Sequence, residues 1–135
     1  MPESVQLAEQ ILAWSKLSWI GVSRQTADLS ETEFLSLDHI VESGTANVGQ
    51  INKHVGVLPA QMSRILRRIE GAGFIHCGIN PQDKRKVDVE ITAAGRRAHA
   101  AYRHAKLAPI AVALERLTPA ERTRFMQLVQ KMVHG

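Results

Sequence analysis

Apolar positions recur along most of the chain at the spacing of an α-helix. The first such segment, residues 7–22, carries an apolar arc that is broader than one packed face requires. Its members are Leu7, Ala8, Ile11, Leu12, Trp14, Leu17, Trp19 and Val22. We therefore expect a terminal helix that packs on its own domain and on a second subunit. The alternative is a terminal helix buried only within the monomer.

Capping signals divide the middle of the chain into three short helices. Ser30-Glu31-Thr32-Glu33 is a capping box, Asn47-Val48-Gly49-Gln50 resembles a second, and Pro59 suits the first turn of a third helix. The helices are expected to bury, in order, Phe34, Leu37, Ile40 and Val41; Ile51 and Val55; and Met62, Ile65, Leu66 and Ile69. Gly44 is expected to end the first, and Gly71 and Gly73 the third. The second and third, joined by the turn at residues 56–58, predict a helix-turn-helix.

The helix predicted from residue 59 to about residue 70 has a polar face opposite its apolar stripe. That face comprises Ala60, Ser63, Arg64 and Arg67, with Gln61 and Arg68 at its edges. Small and hydrogen-bonding residues come first, as in a helix whose amino-terminal part meets base edges in the major groove. Gln61 can pair with adenine and Arg64 with guanine, whereas Arg67 and Arg68 suit phosphate. The alternative is an amphipathic helix with a basic, solvated face.

A basic hairpin is predicted directly after this helix. Residues 74–79 favour a strand, residues 80–83 a turn, and Val87, Val89 and Ile91 alternate with acids in a second strand with one buried face. Lys84, Arg85 and Lys86 lie at the hairpin tip, which makes the hairpin a candidate wing. An arginine there can enter a narrow minor groove. We expect Asp83 to orient Arg85 through an ion pair.

Two further helices complete the pattern. Thr92 is expected to cap a long helix from about Ala93, and Thr118, Pro119 and Glu121 begin the last one. The apolar surface of the terminal helices exceeds what a small winged helix needs, which indicates dimerisation. The predicted dimerisation residues are Leu7, Ile11, Trp14, Leu17, Phe125, Leu128, Val129 and Met132. A two-fold dimer would place two recognition helices about 34–36 Å apart, which matches an inverted-repeat operator.

The net charge of +4 is unevenly distributed. Residues 1–55 have a net charge of −4, residues 56–106 of +6 and residues 107–135 of +2. The basic part coincides with the predicted helix-turn-helix and wing, which points to an anionic partner. No apolar run is long enough for a membrane span, and no secretory signal is visible. Cytoplasm is the expected location.

Other chemistry finds little support in the sequence. The six histidines show no metal-ligand spacing, so we expect no metal or other cofactor. Cys77 is the single cysteine; it is either a small strand residue, which we favour, or a redox switch. No nucleophile–base pattern or phosphate-binding glycine loop is present, so we expect no catalytic residues and no enzyme activity.

These residues resemble the MarR family of bacterial winged helix-turn-helix transcription regulators over essentially the whole chain. Asp83-Lys84-Arg85 followed by Ile91-Thr92-Ala93-Ala94-Gly95 is similar to the family's wing motif, Asp-x-Arg and then Leu-Thr-x-x-Gly. Residues 61–70 with Gly73 look like its recognition helix, and residues 117–122 like the opening of its last helix. The resemblance implies that Arg85 contacts the minor groove, that Asp83 supports it, and that the terminal helices form a homodimer.

The expected fold is mainly α with a small β-hairpin, arranged as one unit over residues 1–135. Residues 30–92 would form the DNA-binding part, and residues 1–27 and 93–135 the dimerisation helices. The expected function is that of a homodimeric regulator of double-stranded DNA, a repressor of a pseudo-palindromic operator released by a small-molecule effector. The alternatives are a winged-helix protein-interaction module and a redox-responsive regulator that uses Cys77.

Overall fold

A computed structural model describes the backbone of residues 2–25 and 29–135 and the side chains of residues 2–16 and 29–135. The elements are α1 (Glu3–Gln25), α2 (Glu31–Ile40), β1 (Thr45–Asn47), α3 (Val48–Val55), α4 (Pro59–Gly71), β2 (Ile75–Ile79), β3 (Val87–Ile91), α5 (Ala93–Leu114) and α6 (Pro119–His134). The fold is therefore mainly α with a small antiparallel sheet, as predicted. Among the described residues, each helix is either too short or too polar to span a bilayer.

The sheet has three strands in the order β1-β3-β2, not the two of a simple hairpin. Ala46, Val89 and Cys77 lie side by side across it. The strand β1 was not predicted, because three residues are too few to show alternation. This strand also runs directly into the cap of α3, so it ties the helix-turn-helix to the wing.

The chain divides into two compact units, and the division falls within α5. One unit, Thr26–Arg103, contains α2 to β3 and the start of α5. Its buried apolar residues are Leu29, Phe34, Leu37, Ile40, Ile51, Met62, Ile65, Leu66, Ile69, Ile75, Val89, Ile91 and Tyr102. Three predictions were wrong in degree: Val41 and Val55 are only half-buried, and Val87 is 38% exposed.

The predicted capping boxes of α2 and α3 are present. Ser30 and Glu33 form a complete capping box on α2, as do Asn47 and Gln50 on α3. Gly56 ends α3 in the left-handed conformation, at φ 78°, which strongly favours glycine. The helix α2 ends at Ile40, earlier than predicted, and a turn continues to Gly44, whose N–H donates to the Ile40 carbonyl.

The end of the wing is hydrogen-bonded to the segment that follows α4. The Thr92 hydroxyl donates to the Gly73 carbonyl at 2.7 Å and accepts from the Gly95 N–H at 3.0 Å, so it caps α5 as predicted. The Thr92 N–H donates to the Phe74 carbonyl. A Cβ atom on Gly95 would lie 2.1 Å from that carbonyl oxygen, so α5 can approach this closely only with glycine here.

The second unit contains α1, the rest of α5, and α6. Thr118 and Glu121 form the predicted capping box of α6. The Arg122 guanidinium donates to the carbonyls of Leu114 and Leu117, at 3.2 and 2.7 Å, and so closes the carboxyl end of α5. No residue of α6 is buried.

Candidate nucleic-acid interface

The helix α4 buries one face and exposes the other as predicted. Met62 and Ile69 are almost inaccessible to solvent, and Ile65 and Leu66 are buried beside them. This stripe fixes the rotation of the helix, because turning it would expose the apolar side chains. The residues predicted to contact DNA all face solvent: Ala60, Gln61, Ser63, Arg64, Arg67 and Arg68.

Arg68 differs from the other polar residues of α4. Its Nε lies 2.5 Å from Oε2 of Glu33, whose side chain is only 4% exposed. The other oxygen of Glu33 accepts from the Ser30 N–H at 2.7 Å, as the capping box requires. The carboxylate of Glu33 thus joins the start of α2 to the late part of α4. Arg68 is a scaffold residue in this structure, a role that its position in the sequence did not predict.

The wing turn is shaped by Asn80. This residue was predicted to lie in the turn, but no specific bonding role was predicted for it. Its Oδ1 accepts from the N–H groups of Gln82 and Asp83, and its Nδ2 donates to Oδ2 of Asp88 at 2.9 Å. The Asn80 N–H donates to the Lys86 carbonyl, which closes the hairpin. An asparagine at the start of a turn is a signal for such side-chain bonds, so this role could have been predicted.

Asp83 holds Arg85 at the wing tip. Its Oδ1 accepts from the backbone N–H of Arg85 at 3.1 Å and from its Nε at 3.2 Å. These bonds lower the pKa of the Asp83 carboxyl below its ordinary value, so the group is ionised at neutral pH. The Arg85 side chain is 91% exposed, and the predicted ion pair leaves the rest of its guanidinium in solvent.

The helix α4 and the wing line one cleft of about 660 Å³. Arg67 comes from α4, Arg85 and Lys86 come from the wing, and Asn47 to Gly49 come from the amino end of α3. The remaining lining residues are Ser63, Leu66, Glu70, Cys77 and Val87. Three cations from two separate elements therefore face the same concave surface, where the exposed Val87 also lies. Gln61, Arg64 and Lys84 are not part of this lining.

Cys77 lies half-buried on β2, next to the carboxyl end of α4. Its N–H donates to Oε2 of Glu70 at 2.6 Å. Burial and the neighbouring Glu70 carboxylate raise the pKa of the thiol to about 11. A thiol that stays protonated is a poor nucleophile, so this environment favours the small-strand-residue interpretation over a redox switch.

The predicted dimerisation residues lie together in the other unit. Leu7, Ile11 and Trp14 of α1 line a groove of about 470 Å³ with Phe125, Leu128, Val129 and Met132 of α6. Leu7, Ile11, Phe125, Leu128 and Met132 are each more than two-fifths exposed. Leu17, the remaining predicted member, lies outside the residues whose side chains are described.

The histidines form no metal centre of three or more ligands in the described part of the chain. Buried His99 is a packing residue: its ring stacks on Phe34, and its Nε2 lies 2.8 Å from Oδ1 of Asp38. His39 and His54, by contrast, lie against each other.

Comparison with known proteins supports the predicted resemblance. Residues 29–87, which span α2 to the start of β3, match the model of the MarR family. The chain is therefore similar to the MarR family over these residues, in agreement with the predicted resemblance. It is 29% identical over 108 residues to the HTH-type transcriptional repressor Rv2887 of Mycobacterium tuberculosis, covering 77% of this chain and 75% of that protein. These similarities indicate a transcription regulator with a DNA-binding winged helix, and not an enzyme.

Solved structures share the fold over nearly the whole chain. A mutant form of MarR from Escherichia coli is 21% identical, with a TM-score of 0.78 and coverage of 98% of this chain and 97% of that one. BpsR of Bordetella bronchiseptica, whose DNA binding is regulated by 6-hydroxynicotinic acid, is 19% identical, with a TM-score of 0.70 and coverage of 95% and 98%. At these identities the likeness concerns the fold.

Proposed function

We propose that this regulator reads double-stranded DNA with the exposed face of α4 in the major groove and the wing tip against the backbone and minor groove. The observation that carries the proposal is the cleft shared by Arg67, Arg85 and Lys86. Cations from a helix and a hairpin converge there on one concave surface. A duplex presents phosphates on both sides of each groove, so such a surface suits it better than a flat basic face would.

Each residue then has a distinct role. Gln61 and Arg64, with the small Ala60 and Ser63 beside them, read base edges on α4. Arg67, Lys84 and Lys86 neutralise phosphate, and Arg85 enters the minor groove, aimed by Asp83. Arg68 contributes chiefly through Glu33, because its charge is already paired.

We further propose that the chain acts as a homodimer on a pseudo-palindromic operator. The support is the exposed apolar groove between α1 and α6, which a second copy would cover. Two-fold symmetry would repeat the α4 surface on one side of the duplex, at a spacing of about one helical turn.

Repression and relief by a small molecule complete the proposal. The related mycobacterial protein is a repressor, and BpsR responds to a small aromatic acid. We propose that this chain is also a cytoplasmic repressor and that a small-molecule effector, whose chemistry is not assigned, releases it from DNA. Adding candidate aromatic acids to a preformed protein–DNA complex tests it; release of DNA by one of them is the expected result.

Replacing Arg85 with alanine tests the wing. We expect weaker binding to every duplex and a salt dependence, log K against log [salt], that is shallower by about 1 per protomer. Fluorescence anisotropy across a series of salt concentrations measures both. Arg97→Ala is the matched control, because Arg97 is an exposed arginine of α5 outside the cleft lining. Equal losses in the two variants would mean that only net charge matters, and the wing assignment would fail.

Selection of bound duplexes from a random pool tests the operator proposal. We expect an inverted repeat whose half-sites lie about one helical turn apart. In the same selection, Gln61→Ala should relax the preference at one position per half-site, by about 1–3 kcal/mol. No enrichment, together with no retardation of random duplex at low salt, would instead favour the protein-interaction alternative.

A further inference from the structure

Two histidines that are far apart in the sequence meet on the surface of the helix-turn-helix unit. His39 lies in the last turn of α2 and His54 in the last turn of α3, and the two helices pack together. Their ring centroids are 5.1 Å apart, with the planes tilted by 33°. The sequence shows no ligand spacing at these positions, because the pair forms only when the helices dock.

Both imidazoles are accessible to solvent, and neither is held by a hydrogen bond from the described part of the chain. His39 is half-buried and His54 is exposed. Within the described residues, neither ring nitrogen of either histidine has a hydrogen bond or an ion pair, and each ring contacts the other. His99 shows the opposite case, since it is buried and its Nε2 is held by Asp38. The pair therefore has nitrogen lone pairs available to a ligand from solvent.

The local field favours a cation. The carboxyl end of a helix carries partial negative charge from its unpaired carbonyl groups. His39 and His54 both lie at such ends, within two residues of the caps Val41 and Gly56. At α2 this charge is partly met by Arg96, whose Nη1 donates to the Val41 carbonyl at 2.7 Å, so the favourable contribution comes chiefly from the end of α3.

We propose that His39 and His54 form a two-histidine site for a borderline transition-metal ion such as Zn²⁺ or Ni²⁺. With a metal–nitrogen bond of about 2.0–2.1 Å, two imidazoles that share one tetrahedral ion have ring centres about 5 Å apart. The observed centroid separation of 5.1 Å meets that requirement. Water fills the remaining coordination positions, and hard ions such as Mg²⁺, which prefer oxygen ligands, are excluded.

A bound ion would link α2 to α3, the first helix of the helix-turn-helix. Because the ion binds the folded arrangement and not the separated helices, it stabilises this unit. The site lies on residues outside the cleft lined by Arg67 and Arg85. Metal binding at this site therefore does not depend on the proposed DNA contacts.

Calorimetric titration of the tag-free chain with Ni²⁺, Zn²⁺ and Mg²⁺ tests the site. We expect one Ni²⁺ or Zn²⁺ per protomer, no Mg²⁺, and a rise in the melting temperature when Ni²⁺ is added. His39→Gln and His54→Gln should each abolish the binding and the thermal shift. His104→Gln is the matched control, since it removes an exposed histidine of α5 and should leave both intact.

Circular dichroism shows whether each variant is folded, and glutamine at these accessible positions should preserve the fold. Absence of Ni²⁺ and Zn²⁺ binding to the unmodified chain would overturn the proposal. Equal binding by the single variants and the unmodified chain would also overturn it, because the ion would then be held by other histidines.

Discussion

Arg67 and Arg68 are neighbours on α4 with different surroundings. Arg67 lines the cleft that faces the wing, whereas the guanidinium of Arg68 pairs with the buried carboxylate of Glu33. Sequence alone assigned both to phosphate because their side chains are chemically identical. The structure distinguishes the two roles, because Arg68 has an acidic partner, Glu33, on another helix.

Alanine at each position should give opposite results. Arg67→Ala should weaken DNA binding and leave the free energy of unfolding within about 0.5 kcal/mol. Arg68→Ala should lower the free energy of unfolding by about 1–3 kcal/mol, because it leaves a buried carboxylate without its charged partner. Urea denaturation and DNA titration of both variants measure this. If Arg67→Ala were the more destabilising change, the scaffold role of Arg68 would be refuted.

Cys77 should react slowly. A thiol pKa of about 11 leaves only about one molecule in a thousand as thiolate at pH 8. We expect slow modification by iodoacetamide at that pH, a rate that climbs as the pH approaches 11, and DNA binding that resists mild peroxide. Glu70→Gln should speed the reaction, because it removes a negative charge that disfavours the thiolate. Rapid modification at pH 7 would restore the redox-switch alternative.

At the scale of elements, the junction of α4, the wing and α5 depends on one close backbone approach. Gly95 packs against the Phe74 carbonyl, and Thr92 bonds to Gly73 across the same junction. The final glycine of the motif that resembles the family's wing signature thus has a steric explanation. It keeps the base of the wing next to the end of the recognition helix.

Gly95→Ala should destabilise the protein by about 1–3 kcal/mol or more, because the new methyl group overlaps backbone atoms that have little room to move. Gly71→Ala is the matched control. An added Cβ there meets no atom within 4 Å, and alanine in a helix loses less entropy on folding, so it should be neutral or stabilising by up to about 1 kcal/mol. Thermal unfolding distinguishes the two; similar melting temperatures would contradict the packing argument.

At the scale of the whole molecule, the apolar groove of α1 and α6 bears on assembly. Leu128→Glu places a charge among side chains that we propose meet a second copy, and a buried unpaired charge is costly. We expect a shift from dimer to monomer at micromolar concentration and a large loss of operator affinity. Sedimentation velocity measures the first effect, and DNA titration the second.

Gln127→Glu is the control for this variant. It introduces the same side chain on α6, and Gln127 is exposed and outside the groove lining. It should remain dimeric. If the unmodified chain is monomeric, the proposed dimer does not form. If Leu128→Glu remains dimeric, the interface lies elsewhere on the chain.

The sequence by itself determined most of the local structure and the residues proposed to contact DNA. Capping boxes at Ser30, Asn47 and Thr118 and the stripe from Met62 to Ile69 could be read directly, because caps and helical periodicity depend on residues only a few positions apart. The basic wing tip and the Asp83–Arg85 pair are equally local. The family's wing and recognition-helix motifs consist of these same short segments.

Only the tertiary structure decided which distant residues meet. The pairing of β1 with β3, the contact of Glu33 with Arg68 and the approach of His39 to His54 all join elements separated in the chain. No periodicity or cap encodes such contacts, because they arise when the buried faces of α2, α3 and α4 pack around Leu37, Ile51 and Met62. That packing also brings the cations of α4 and the wing to one cleft, which turns two basic segments into one candidate surface for DNA.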